Sequence, residues 1–214
     1  MLFHDRVDAG RQLAQLMAHL SGRDTVVLGL PRGGVPVAYE VATALGLPLD
    51  VIVVRKLGVP WHEELAMGAI GEGVRVLDDD AVSSLQISSE QVDAVERREQ
   101  DELIRRARTF RGRRGPLQLD GRGVIIVDDG VATGATARAA CQVARAAGAV
   151  HIILAVPVAP PDWAVHPGDD ADEFICVARP SPFFAIGQWY EDFTQTTDET
   201  VIELLNRSSN PPRP

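Results

Sequence analysis

The stretch VIIVDDGVATGAT, residues 124–136, reads as a strand, a turn and the start of a helix. Its four leading residues are continuously apolar, whereas a strand with one wet face would alternate, so this one is buried on both faces. The strand ends on two adjacent carboxylates, Asp128 and Asp129, and Thr133, Gly134 and Thr136 then open a helix. The first N–H groups of a helix lack internal partners and sit at the positive end of its dipole, which suits the turn to an anion. Thr133 and Thr136 add hydroxyl donors, and Gly134 lets a ligand reach the backbone. The acidic pair is suited to accept hydrogen bonds from vicinal hydroxyls or to help hold a divalent cation. A lone pair of aspartates would be an ordinary polar turn. The whole string reads better as an anion site beside a diol site.

The flanking sequence supplies the rest of an open sheet. TVVLGL (25–30), DVIVV (50–54), HIILAVPV (151–158) and FICVA (174–178) are further short apolar runs. Helical periodicity lies between them over 35–45 and from the 133–136 turn to about Ala147. This alternation predicts an α/β fold, a central mostly parallel sheet flanked by helices. Asp5 is a fitting N-cap for a helix over 5–20, with Leu13, Leu16, Met17 and Leu20 at helical spacing. Residues 56–115 break the rhythm with an expected hairpin around 71–73 and a long polar helix from Ser88 to about Phe110. Ser88 and Gln91 form its capping-box signature. Such an excursion is too long for a plain crossover and is expected to be a functional flap or small subdomain. A single domain over 1–207 is expected, with SSNPPRP (208–214) as a frayed tail.

The 214 residues carry 21 Lys and Arg against 30 Asp and Glu, a formal net charge of −9. That acidity argues against a general polyanion binder. Six arginines nevertheless crowd RRARTFRGRR (105–114), namely Arg105, Arg106, Arg108, Arg111, Arg113 and Arg114, enough to close over a phosphorylated ligand or to touch nucleic acid. Basic residues at a helix end complement its dipole, so a solvated surface is the expectation for most of them. Cys141 and Cys176 are too few for a disulfide framework and suit a reducing cytosol, so a cytoplasmic location is expected. The opening MLFHDRVDAG shows no signal-peptide pattern, and no apolar run approaches the roughly 18 residues of a membrane span.

The string 124–136 resembles the phosphoribosyl-pyrophosphate (PRPP) binding motif of the type I phosphoribosyltransferases: hydrophobic strand, acidic pair, then a Thr-Gly-x-Thr loop. The resemblance implies that family's fold, with a mobile-loop and helical excursion at 56–115 and a C-terminal hood at 179–200. It implies Asp128 and Asp129 on the ribose 2′- and 3′-hydroxyls, and Ala132, Thr133, Gly134, Ala135 and Thr136 around the 5′-phosphate. Gly130 departs from the apolar residue the family places after the acidic pair and is expected to loosen the loop. GLPRGGVPVA (29–38) is similar to the family's pyrophosphate loop, which often contains a strained or cis peptide. Pro31, Arg32, Gly33 and Gly34 would then face the leaving pyrophosphate. The string is not a P-loop, since it lacks the Lys-Ser/Thr ending. Arg55 and Lys56 resemble a basic pair that some members use against PRPP oxygens.

The same resemblance puts the catalytic loop near Trp61, His62, Glu63 and Glu64. His62 and Glu63 are not a zinc site, because no second histidine follows at helical spacing. Candidate catalytic residues are Lys56 and Arg32, against the departing charge, with His62, Glu63 and Asp192 as candidate bases. PSPFFAIGQWYEDFTQTTDE (180–199) crowds Phe183, Phe184, Trp189, Tyr190 and Phe193 into a chain that is 5% aromatic. Such a cluster suits the stacking of a flat heterocycle, and equally a core or a dimer contact. The placing of Pro182, Gly187 and Asp192 resembles the hood of the purine-salvage branch, so Phe184, Trp189, Tyr190 and Asp192 are base-binding candidates. Asp128, Asp129 and Asp192 are metal candidates, partly through PRPP. Ala132, Thr133 and Gly134 resemble the adenine-specific branch while the hood resembles the 6-oxopurine branch, which leaves the base open.

The implied reaction is a Mg²⁺-dependent transfer of the 5-phosphoribosyl group from PRPP to a nitrogen nucleophile such as a nucleobase, releasing pyrophosphate. A homodimeric enzyme of nucleotide salvage is the corresponding expectation. The alternative is a regulatory PRPP- or nucleotide-binding protein of the same fold that reads nucleic acid with 105–114. A PRPP-forming pyrophosphokinase is disfavoured by the lack of an ATP site. A Rossmann-like binder is disfavoured by the missing dinucleotide glycine spacing.

Overall fold

A computed structural model describes residues 2–164 and 171–209. The chain runs α1 (Arg6–Leu16), β1 (Thr25–Gly29), α2 (Gly34–Leu45), β2 (Leu49–Val51), β3 (Arg55–Val59), β4 (His62–Gly71) and β5 (Val74–Leu77). It continues through α3 (Asp79–Ser84), α4 (Ser89–Arg111), β6 (Gly123–Val127), α5 (Ala135–Ala146), β7 (His151–Val158), β8 (Glu173–Ala178) and α6 (Asp198–Ser209). Five strands form one sheet in the order β2-β1-β6-β7-β8, parallel throughout, as the uninterrupted apolar runs require.

Successive residues of these strands enter two different cores. Val27, Ile125, Val127, Ile153 and Ala155 pack with α1, α2 and α6 on one face. Val26, Leu28, Val124, Ile126, Ile152 and Leu154 pack with α5 on the other. The chain leaves β1 for β2 on one side and returns to β6 on the other. The loops after β1 and β6 therefore lie side by side at the carboxyl ends of adjacent strands, the topological switch point of such a sheet.

Asp5 caps α1 by accepting from the Asp8 N–H, and the Ser88–Gln91 capping box opens α4. α1 is shorter than its periodicity suggests. It stops at Leu16, which is exposed, and a 3₁₀ turn over Ala18–Leu20 buries Leu20. Within the 56–115 excursion β3, β4 and β5 make an antiparallel sheet, with the anticipated hairpin at Gly71–Val74. Helix α6 is an addition to the expected elements, and it takes up Ser208 and Ser209 of the expected tail; 210–214 lie outside the described residues.

One of the six clustered arginines is not solvated. Arg111 is buried, and it donates from Nε to Asp50 Oδ1 (2.7 Å), from Nη2 to the Val51 carbonyl (2.5 Å) and from Nη1 to Glu72. It thereby ties the end of α4 to β2 and to the β4–β5 turn. Arg105 and Arg106 both donate to Glu102, and Arg114 donates to Ser209 and Asn206.

Candidate active site

The site begins with two helices that start without a side-chain cap, α2 after Gly33 and α5 after Gly134. Their opening N–H groups are available to anions. Gly134 adopts φ +82°, and a Cβ there would lie 2.5 Å from Trp163 Nε1, so glycine is required by both conformation and space. The indole in turn donates to the Thr133 carbonyl at 3.4 Å and backs the turn. Ala132, Thr133, Ala135 and Thr136 remain exposed around it.

The loops after β1 and β6 touch through glycines. A Cβ on Gly33 would overlap Asp129 Oδ2, and one on Gly34 would lie 2.5 Å from the Val127 carbonyl. The Pro31–Arg32 peptide, just before Gly33 in the loop after β1, is cis. Gly130 does not loosen its loop: a Cβ there would meet Ile186 Cγ2 at 2.6 Å, because the hood's 3₁₀ turn (Ile186–Trp189) packs directly onto it.

Asp128 and Asp129 are unequal. Arg6 donates to Asp129 Oδ2 from Nε, and its Nη2 also lies 2.8 Å from that oxygen. Tyr190 Oη donates to the Asp129 carbonyl at 2.6 Å. Asp128 has no guanidinium partner among the described residues, and its Oδ1 accepts from the Asp129 N–H at 2.9 Å. Burial raises both carboxyls above the usual range. Asp129 beside it pushes Asp128 further up, while Arg6 pulls Asp129 back down.

A cleft of about 470 Å³ opens beside these loops. It brings together Pro31, Lys56, Glu63, Ala135 and Thr136, and adds Arg55, Glu64, Arg98, Glu99 and Arg106. Lys56 Nζ donates to the Glu64 carbonyl (2.9 Å), and Arg55 Nη2 to Glu99 (2.6 Å). Burial alone would raise the Glu99 carboxyl, but Arg55 and Arg98 hold it below the usual range. Arg32 points elsewhere, its Nη1 3.6 Å from Asp198 Oδ1 at the start of α6. His62 does not line the cleft. Its Nδ1 accepts from the Leu65 N–H in a local turn.

The hood divides the aromatic candidates. Tyr190 is buried between Phe3 and Phe193, with ring centroids at 5.2 and 4.9 Å, so it supports the acidic pair and offers no stacking face. Trp189 is half-buried against Phe183, and its Nε1 is enclosed without a partner among the described residues. Phe184 alone of the three aromatic base candidates presents an open ring, 81% exposed. Asp192 is exposed and accepts from the Thr194 N–H, which holds its carboxyl below the usual range. Among the described residues no three His, Cys, Asp or Glu side chains converge as a metal site, so the protein alone does not gather Asp192 with the acidic pair. Arg106 comes from the arginine-rich stretch 105–114, whereas Arg6, Trp163 and Arg98 join the site without any cue in their local sequence to mark them.

An acidic pair and two uncapped helix starts at a sheet's switch point define an α/β protein whose geometry suits a phosphate beside a diol. The chain belongs to the phosphoribosyl transferase family, whose domain model matches residues 5–188. Two Mycobacterium tuberculosis proteins, from strains CDC 1551 / Oshkosh and ATCC 25618 / H37Rv, carry provisional phosphoribosyl transferase names. Each is 60% identical over 208 residues, covering 97% of this chain and 47% of the relative. The chain thus spans about half the length of the curated relatives it matches. The crystal structure of TT1426 from Thermus thermophilus is 42% identical and superposes with a TM-score of 0.86 over 96% of this chain and 98% of that one.

Proposed function

We propose that the protein transfers the 5-phosphoribosyl group of PRPP to a nitrogen nucleophile and releases pyrophosphate. The observation that carries this reading is the half-buried, guanidinium-free carboxylate of Asp128 between two uncapped helix starts. The α5 turn suits the 5′-phosphate, Asp128 the ribose hydroxyls, and the Gly33–Gly34 loop the pyrophosphate. Asp129, held by Arg6 and Tyr190, fixes the backbone on which Asp128 stands.

In the reaction the C1–O bond breaks and its electron pair leaves with pyrophosphate. The nucleophile's lone pair forms the new C1–N bond, and its N–H proton is given up to a base. The protein's part is positioning and charge neutralisation. Lys56 lies on the cleft wall that would face the departing oxygens; Glu63 shares that cleft, whereas His62 does not. Mg²⁺ fits as part of the substrate. Of the acidic pair only Asp128 lacks a guanidinium partner among the described residues, so most of the ion's ligands would be PRPP oxygens, whose charge it would neutralise. The acceptor fits a flat nucleobase stacked on Phe184. A regulator that reads nucleic acid is weakened because Arg111 is buried against Asp50 and Arg114 donates to Ser209 and Asn206 of α6.

The test is calorimetry with PRPP and Mg²⁺, followed by a panel of purine and pyrimidine bases assayed for pyrophosphate release. Binding with release for at least one base is expected. Absence of PRPP binding would overturn the site, and binding without release across the panel would overturn the transfer reaction.

A further inference from the structure

The cleft holds more positive charge than the two phosphate loops and Lys56 account for. Helix α4 brings Arg98 and Arg106 to its wall, across from Pro31, Ala135 and Thr136. The two lie eight residues apart, a little over two helical turns, and so share one face. That face flanks the apolar stripe of Val95, Leu103 and Ala107 by which α4 is anchored to the core. The arginines are thus presented on a fixed support rather than on a loop.

Their present partners differ in how firmly they are held. Glu99 is buried and bonded to Arg55, a structural contact, and it also accepts from Arg98 Nε at 3.1 Å. Arg106 Nε donates to Glu102 at 2.8 Å, a pair within the same helix surface that leaves its other guanidinium nitrogens to the cleft side. Glu63 and Glu64 are 70% and 93% exposed in their side chains. Glu63 Oε1 lies 3.2 Å from Arg98 Nη1, and Glu64 Oε2 lies 3.8 Å from Lys56 Nζ. Exposed pairs of this kind are weak, because water screens the charges and both side chains lose rotamer freedom in pairing. A phosphate group brings more charge and more acceptor oxygens, and a guanidinium binds it in a two-pronged geometry that lysine lacks. The β4 carboxylates are therefore weak occupants of cations that a phosphoryl group would hold better.

We propose that Arg98 and Arg106 extend the cleft into a binding wall for a pyrophosphate group, which displaces Glu63 and Glu64 from Arg98 and Lys56. This rests on the PRPP reading above and assigns the pyrophosphate end of that substrate, not its 5′-phosphate, to α4.

The experiment titrates Mg²⁺-pyrophosphate, Mg²⁺-PRPP and ribose 5-phosphate into the wild-type protein and into Arg98→Ala, Arg98→Lys, Arg106→Ala and Glu63→Gln. Arg98→Ala and Arg106→Ala should each weaken pyrophosphate and PRPP binding about tenfold, the scale of a lost charge-assisted hydrogen bond, and spare ribose 5-phosphate. Arg98→Lys should restore part of the loss. Glu63→Gln should tighten pyrophosphate binding, the opposite sign to the arginine variants. Thermal melts should stay at the wild-type midpoint, since Arg98 is 58% exposed in its side chain and Glu99 keeps Arg55. Unchanged pyrophosphate affinity in both alanine variants would overturn the inference alone. Equal loss of ribose 5-phosphate would overturn the assignment to the pyrophosphate end. A wild-type protein that binds none of the three would overturn the PRPP reading and this inference with it.

Discussion

Arg6 places Nε and Nη2 each 2.8 Å from a single oxygen of Asp129, while its guanidinium lies 4.0 Å over the Phe193 ring. Its Nη1 also donates to the Thr194 carbonyl. One side chain from the first helix thereby joins the acidic pair to the hood. Arg6→Ala leaves a buried carboxylate without its counter-charge and should cost about 3 kcal/mol of stability. The loss should be larger at pH 8 than at pH 5. Asp129 already titrates above its ordinary value, and without Arg6 it would titrate higher still. A carboxyl raised in the folded state gives stability that is lost as pH rises through the folded value. Thermal melts at the two pH values check the sign.

Asp128 and Asp129 should respond oppositely to the same substitution. Asp128 bears its charge against burial and a neighbouring carboxylate. Asp128→Asn removes that charge and should raise Tm, more at neutral than at acid pH, while PRPP affinity is lost. Asp129→Asn strips Arg6 of its buried partner and should lower Tm. Parallel melts and PRPP calorimetry separate the two roles; equal shifts in Tm would show that the pair acts as one unit.

Gly33→Ala isolates the contact between the two loops. Gly33 has φ −62°, which alanine adopts without strain, so the only penalty is the overlap of its methyl with Asp129 Oδ2. The expected cost is about 1–3 kcal/mol, the range for an inserted methyl group. PRPP binding should fall with it, because relieving the overlap moves the acidic pair. Denaturant titration beside calorimetry measures both.

Arg111→Ala should be among the most damaging changes far from the cleft. It strands Asp50 and Glu72 and frees the end of α4 from β2. A loss of about 3–5 kcal/mol is expected, read from the urea midpoint. Arg105→Ala, which removes only a surface pair to Glu102, should change the midpoint little.

The contrast between those arginines shows where the sequence stops being informative. The parallel sheet is legible because each strand is a short apolar run with both faces covered, and that pattern is local. The α5 turn is legible because strand, acidic pair and Thr-Gly turn are contiguous. Arg6 is not legible, because its partner Asp129 lies 123 residues away and a helix-opening arginine looks like any surface arginine. Arg111 is hidden among five similar neighbours, and only the packing of α4 against β2 and the β4–β5 turn singles it out. The β3–β5 sheet is obscured because Gly58 and Gly68 interrupt its alternation; at Gly58 the β3–β4 register also shifts.

The hood aromatics pose the same difficulty, since composition does not separate a ring that meets a ligand from one that closes a core. The structure separates them, and the separation is testable. Phe184 is 81% exposed, so Phe184→Ala should leave Tm unchanged and raise the KM for the acceptor base about three- to tenfold while sparing the KM for PRPP. Tyr190→Phe should do the reverse. Burial pushes the Tyr190 phenol well above its ordinary value, so it stays a donor at every working pH, and its bond to the Asp129 carbonyl persists. Losing that bond should cost about 1–2 kcal/mol and weaken PRPP through the acidic pair, with the acceptor KM unmoved. If Tyr190→Phe instead shifted the acceptor KM alone, the tyrosine would be a base contact after all and the hood would have to move in use.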